Sequence, residues 1–421
     1  MEEMITLPNG VRILTQPVPG VRSAALGIFV GTGSRHEKAR ESGAAHFIEH
    51  MTFKSTHRRT AEELAQEIDE VGGQVNAYTT KESTCFYARC LDSHLDRVID
   101  LLCDMLFSCA FLEEEVATER GVILEEIGMY QDTPEDLVAE RLSAAVYPGS
   151  ALGRPILGTA KTLEQMDGAW LREYRRTHYR PDRIVVSLAG SFAGAAVDEL
   201  KGRFAQLEPG PAAPVRPARY RPAVTVRRKA TEQNHLVLAF PSPSYLDERR
   251  PQLLLLNSLL GGGCSSRLFQ EVREKRGLCY TVYSYIADHE DTGLLGLYTA
   301  LSPETEGEAL AALCRIAREL AHTGPERAEL DRAREQTKAN ILMGLESTQA
   351  RMSRAGASQL LYGRVPSIEE IIAGYDAVTP EQLRDLAAEV FDFGRASLSA
   401  VGRVWKAEEY RERLEKARED A

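Results

Sequence analysis

Apolar and polar residues alternate over the first thirty positions. That period of two predicts strands over 5–7 and 11–14, joined by a two-residue turn at Asn9-Gly10, and a longer strand over 24–30. Past a glycine turn the period changes. Residues 43–53 read Gly-Ala-Ala-His-Phe-Ile-Glu-His-Met-Thr-Phe, a proline-free run of helix formers with Ser42 placed to cap it and Lys54-Ser55-Thr56 as its exit. A second helix is predicted from Thr60, whose partnership with Glu63 makes a capping box, to Gly72-Gly73. Short strands over 74–79 and 83–88 come next, then a long helix over 112–131. A helical stretch to about Tyr179 and a core strand over 183–190 complete the first half.

Between 207 and 222 the pattern dissolves into Pro209, Pro211, Pro214, Pro217 and Pro222, which predict a stiff, extended linker. Beyond it the outline repeats. Residues 395–402 match 183–190 at an offset of 212, sharing the arginine, a serine and the terminal glycine. Residues 235–240 stand where the strand 24–30 stood, and the helix after them, 251–257, carries leucines in place of histidines. The predicted architecture is α+β: two homologous domains, 1–208 and 223–421, joined by the proline-rich linker 209–222. Each is expected to be a largely antiparallel sheet with helices packed on one face.

Composition narrows the function classes. At 421 residues the chain exceeds one ordinary core, and 43% hydrophobic with 27% charged residues is the balance of a globular protein in water. No apolar run reaches the ~20 residues of a membrane span. A net charge of −11, with 51 basic residues against 62 acidic ones and no long basic cluster, argues against a nucleic-acid partner. Seven cysteines, an odd number without metal-finger spacing, fit reduced thiols. With an acidic start and no basic signal region, the expected location is cytoplasmic.

The chemistry concentrates on one helix. His46 and His50, four apart, lie one turn from each other and can both address one metal ion, with Glu49 on the same side. On the long helix, Leu112, Val116, Val122, Ile123, Ile127 and Tyr130 form an apolar arc at ~100° per residue. Glu119 and Glu126 fall inside that arc, while Glu125 points away. A solvated helix side accounts for Glu113, Glu114 and Glu125, but it accounts poorly for two carboxylates facing a core. Two histidines need a third protein ligand, which Glu126 is placed to supply, and Glu119 can orient a histidine behind it.

With His46, Glu49, His50 and a glutamate 76 residues past the second histidine, the pattern resembles the insulinase and pitrilysin zinc metallopeptidases, the inverzincins. Residues 76–79 (Asn-Ala-Tyr-Thr), 120–126, 152–158 and 260–269 are similar to the two-domain branch related to the mitochondrial processing peptidase, so the likeness covers essentially the whole chain. The resemblance implies one Zn2+ per chain on His46, His50 and Glu126, with Glu49 as general base and Glu119 as supporting carboxylate. It implies that Asn76 and Ala77 lie on an edge strand that pairs with the substrate backbone, and that Arg273 and Tyr280 come to the active site from the second domain. Residues alone leave alternatives. Arg273, Lys275 and Arg276 before Gly277 also describe an ordinary helix C-terminus, Tyr280 can pack in a strand, and Asn76-Ala77 can be plain sheet. The run Gly261 to Gly263 lacks the Gly-Lys-Ser/Thr of a phosphate loop.

The expectation is therefore a zinc-dependent endopeptidase hydrolysing extended or unfolded peptides. A homodimer is expected, in which Arg273 and Tyr280 complete the partner's site. The rivals are a non-catalytic scaffold or assembly subunit of the same fold, and a peptide-binding chaperone that keeps zinc for structure.

Overall fold

The computed structural model describes residues 3–210 and 215–419. Two compact units account for them. The first comprises Met1–Ile127, Arg154–Arg216 and Leu342–Val365, the second Gly128–Gly153, Pro217–Ile341 and Pro366–Ala421. They therefore do not follow the contiguous halves 1–208 and 223–421, because each takes a segment from the other half of the sequence.

In the first unit the strands are β1 (Glu3–Thr6), β2 (Arg12–Pro17), β3 (Ser23–Val30), β4 (Gln74–Thr79), β5 (Thr84–Leu91) and β6 (Ile184–Gly190). They form one sheet in the order β1-β2-β6-β3-β5-β4, antiparallel except for β2 beside β6. The second unit has β7 (Val224–Arg228), β8 (Asn234–Ser242), β9 (Cys279–Asp288), β10 (Gly293–Leu301) and β11 (Ser397–Gly402), ordered β7-β11-β8-β10-β9 with only β7 beside β11 parallel. Position for position this is the first sheet without β1, so the internal repeat read from 183–190 and 395–402 is a repeat of topology. Both matched strands, β6 and β11, sit inside their sheets and end on a glycine with positive φ, +122° at Gly190 and +134° at Gly402.

The main apolar layer of each sheet lies on one face, as expected. In the first unit Leu26, Ile28, Phe86 and Val186 pack against Phe47, Ile48, Val98, Leu102 and Ile123. The other faces are covered too, by single helices from the exchanged segments. Helix Thr348–Tyr362 lays Met352 and Ala355 on Leu14, Ala25, Phe29 and Cys85 of the first sheet. It approaches closely because Gly356 has no side chain: a Cβ there would stand 2.1 Å from the Phe29 ring. In the second unit helix Pro134–Val146 lays Val138, Leu142 and Val146 on Val237, Ala239 and Val401.

Three local expectations change. The turn after β1 is not centred on Asn9-Gly10: the Gly10 amide donates to the Leu7 carbonyl at 2.9 Å, so Pro8 and Asn9 are the central pair and Gly10 follows with φ +98°. Proline's fixed φ suits that first central position. The Asn9 amide is used elsewhere, donating to the carbonyls of Phe204 and Leu207 at 2.8 and 3.0 Å. On the long helix, observed over Glu113–Asp132, only Val116, Glu119 and Ile123 are buried, whereas Leu112 and Val122 are about half exposed. Leu112 precedes the first helical residue, and Val122 falls at the margin of the arc. The linker does not run free to 222 either. Pro211 and Pro214 lie outside the described residues, and from Ala218 onward the chain is bound to the second unit, with Tyr220 Oη donating to Ser397 Oγ at 2.7 Å and the Ala218 amide to Asp291 Oδ2 at 2.7 Å.

Candidate metal centre

The histidine helix, Ala44–Met51, follows directly from its sequence: Ala44, Ala45, Phe47, Ile48 and Met51 are all fully buried. An element wrapped in core on most sides holds its polar residues in a low dielectric. Its N-terminus is not capped by Ser42, whose hydroxyl is buried without a hydrogen bond among the described residues. Gly43 stands at the cap position with φ +99°, and a Cβ on it would lie 2.7 Å from the Leu157 carbonyl. Glu37 does the capping instead, accepting from the amides of Gly43 and Ala45, both at 2.9 Å. Burial pushes the Glu37 carboxyl up, to about 8, against the pull of those two amides.

His46 and His50 face the same way, their ring centroids 4.5 Å apart. Glu126 comes in from the long helix with Oε2 3.6 Å from His46 Nε2 and 3.6 Å from His50 Nε2. One ligand atom from each of these three residues lies within 4.8 Å of the others. Nitrogen and oxygen ligands at ~2.0–2.2 Å from a tetrahedral zinc are roughly 3.3–3.6 Å from one another, so the spacing suits that ion. Glu126 Oε2 is buried and makes no hydrogen bond among the described residues. A desolvated carboxylate oxygen without a donor is costly unless a cation sits against it, so the residues present fit a zinc.

The environment of these side chains sets their charge. Burial drives the His46 imidazolium down, to about 3, and His50 beside it adds to that, so His46 is neutral at physiological pH. For His50 burial pulls the same way, but its hydrogen bond to Glu119 and the carboxylates of Glu119, Glu126 and Glu49 outweigh it and raise the group. His50 Nδ1 donates to Glu119 Oε1 at 2.7 Å, which leaves Nε2 as the ring nitrogen facing Glu126. The other Glu119 oxygen, Oε2, is 2.6 Å from Lys54 Nζ. Burial raises Glu119, yet His50 and Lys54 prevail and hold it below the usual carboxylate range. Glu49 is raised chiefly by burial, opposed by Thr79, whose Oγ1 donates to Glu49 Oε2 at 2.5 Å.

Asn76 and Ala77 lie on β4, the edge strand of the first sheet. The Ala77 amide donates to the Asn76 side-chain Oδ1 at 2.8 Å. Arg273 and Tyr280 belong to the second unit, where they meet each other: the guanidinium carbon is 5.1 Å from the Tyr280 ring centroid and 4.6 Å from that of Phe269. Tyr280 is 73% exposed, so it is no packed strand residue. Three contributors escaped the sequence reading. Lys54 carried a signal, since it is four residues past His50 and so one turn on. Thr79 carried a weaker one, alternating with Ala77 on one face of the strand. Glu37 carried none, because its role depends on a loop folding back.

A family model described as "Insulinase (Peptidase family M16)" matches residues 12–160, and one described as "Peptidase M16 inactive domain" matches residues 168–337. The chain belongs to the insulinase family of peptidases. Relatives named as zinc proteases align over nearly all of it: YmxG of Bacillus subtilis is 42% identical over 96% of this chain and 100% of its own length. A protein of Streptomyces coelicolor is 42% identical over 94% of this chain and 88% of its own. A protease from Helicobacter pylori shares the fold at a TM-score of 0.88 and 22% identity, over 96% of this chain and 99% of that one. So does an M16 inactive domain from Pseudomonas fluorescens, at a TM-score of 0.89 and 19% identity, over 96% and 98%.

Proposed function

We propose that this family member is a zinc-dependent endopeptidase that hydrolyses extended peptides, with one zinc per chain. The observation that carries the reading is the convergence of His46, His50 and the undonated, buried Glu126 oxygen. His46, His50 and Glu126 would hold the ion, which would supply Lewis acidity when bound. Glu49 would take a proton from the attacking water and pass it to the leaving amine. An extended peptide adds beside β4, where its backbone replaces the Asn76 side chain at the Ala77 amide. Recognition through main-chain hydrogen bonds favours unfolded or short substrates over folded proteins.

Arg273 and Tyr280 hydrogen-bond the carbonyl side of the substrate and stabilise the charge developing on its oxygen. The exposure of Tyr280, backed by Arg273, supports this role, and in the homodimer proposed here the pair serves the partner's metal centre. Free thiols at all seven cysteines support a reducing, cytoplasmic setting. Among the described residues no helix is long and apolar enough to cross a membrane.

The test is zinc content by mass spectrometry together with turnover of a quenched basic peptide. Glu49→Gln is expected to keep its zinc and lose about 10²–10⁴-fold in kcat. Zinc without turnover in the wild type would leave a scaffold or chaperone. Mixing Glu49→Gln with Tyr280→Phe chains should recover part of the activity, and no recovery after confirmed subunit exchange would refute the shared site.

A further inference from the structure

Among the described residues the Glu49 carboxylate has one hydrogen-bond partner, the Thr79 hydroxyl, at 2.5 Å from Oε2. Glutamate has three rotatable side-chain torsions, so a half-buried one takes its direction from whatever anchors it. Thr79 is a good anchor. It is β-branched and stiff at χ1, and its backbone is fixed opposite Thr84 in the ladder between β4 and β5. It lies on the same strand face as Val75 and Ala77, whose side chains pack against the core that includes Phe47 and Ile48 of the histidine helix. Thr79 is also the last residue of the edge strand, so the tether joins the strand proposed to receive substrate to the helix that carries the base.

We propose that Thr79 is a positioning residue for peptide-bond hydrolysis: its Oγ1 holds Glu49 Oε2, leaving Oε1 as the atom that collects the proton from water. The inference rests on the peptidase reading. The threonine keeps its own proton throughout. Water's proton goes to Oε1 and from there to the leaving nitrogen, so the hydroxyl is neither consumed nor regenerated.

The experiment compares Thr79→Val, which keeps the shape, with Thr79→Ser, which keeps the donor. Each is assayed with the quenched peptide, and zinc affinity is measured by titrating the apoprotein against a chelator. Thr79→Val is expected to lose about 10- to 100-fold in kcat, the scale of a misplaced reacting group. Its KM and zinc Kd should stay within about twofold of wild type, and Thr79→Ser should recover most of the lost rate. A Thr79→Val kcat within about twofold of wild type overturns the inference alone, as does a Thr79→Ser enzyme equally impaired. A zinc affinity that falls in parallel with kcat also overturns it, because the residue would then be acting on the fold of the site. Wild-type protein that turns over no peptide sinks the peptidase reading itself, and this inference with it.

Discussion

Replacing Glu119 with glutamine tests how the metal centre is held. The native carboxylate, 7% exposed at its side chain, faces two donors, His50 Nδ1 at 2.7 Å and Lys54 Nζ at 2.6 Å. Glutamine has one acceptor and one donor end, so however the amide turns, its NH2 meets either the imidazole N–H or an ammonium. The better arrangement keeps the oxygen on His50 and turns the NH2 toward Lys54. A charge-assisted bond worth ~1.5–3 kcal/mol then becomes a neutral one worth ~1 kcal/mol. That loss, ~0.5–2 kcal/mol, reaches the lower part of the 10–100-fold, or about 1.4–2.8 kcal/mol, that outer carboxylates on metal-bound histidines contribute to affinity, and the NH2 facing the Lys54 ammonium adds to it. Zinc Kd, measured on apoprotein by competition with a chromophoric chelator, should therefore rise by about 10- to 100-fold in Glu119→Gln. Glu125→Gln, on the exposed side of the same helix, should leave it unchanged. A Glu119→Gln protein that folds normally and binds zinc within about twofold of wild type would show that the carboxylate does not orient His50.

Other expectations follow from the surroundings of the site. Gly43→Ala forces φ +99° on a residue with a Cβ and drives that atom toward the Leu157 carbonyl, so the urea midpoint should fall by the equivalent of about 2 kcal/mol or more. His36 is pushed down to about 3 by burial and by the charge of Arg183, whose Nη2 lies 2.8 Å from His36 Nε2. Below an unfolded value near 6.5 only the unfolded chain takes up this proton, so the contribution of His36 to stability should fall from there toward pH 3, at up to about 1.4 kcal/mol per pH unit. Unfolding measured between pH 7 and 4 on both proteins should show wild type losing stability relative to His36→Gln as pH falls, at up to that slope; a difference that does not change with pH would refute it. Cys264 is the one exposed thiol, so a thiol-titrating dye should show a single fast phase in native protein, absent from Cys264→Ser.

What could be read from the sequence was what depends on near neighbours. The facing of His46, Glu49 and His50 needs only helical periodicity, and the burial of Glu119 followed from its place between Val116 and Ile123. The capping box at Thr60 formed as its spacing requires. What could not be read depends on remote chain. Ser42 has the right chemistry for a cap, but Glu37 reaches the Gly43 and Ala45 amides first and the serine is left buried. Asn9-Gly10 carries a strong hairpin signal, yet Pro8 shifts the turn by one residue. A helix chosen from the other half of the sequence to cover Phe29 leaves no mark near Phe29 itself.

That borrowed cover bears on how the protein is made. Every strand of the first sheet has been translated by Gly190, but the helix that shields Leu14, Phe29 and Cys85 begins only at Thr348. At 5–20 residues per second an apolar sheet surface waits roughly 8 to 30 s on the ribosome for its lid. A gene split at the linker would leave that surface permanently bare unless the missing fragment were supplied alongside.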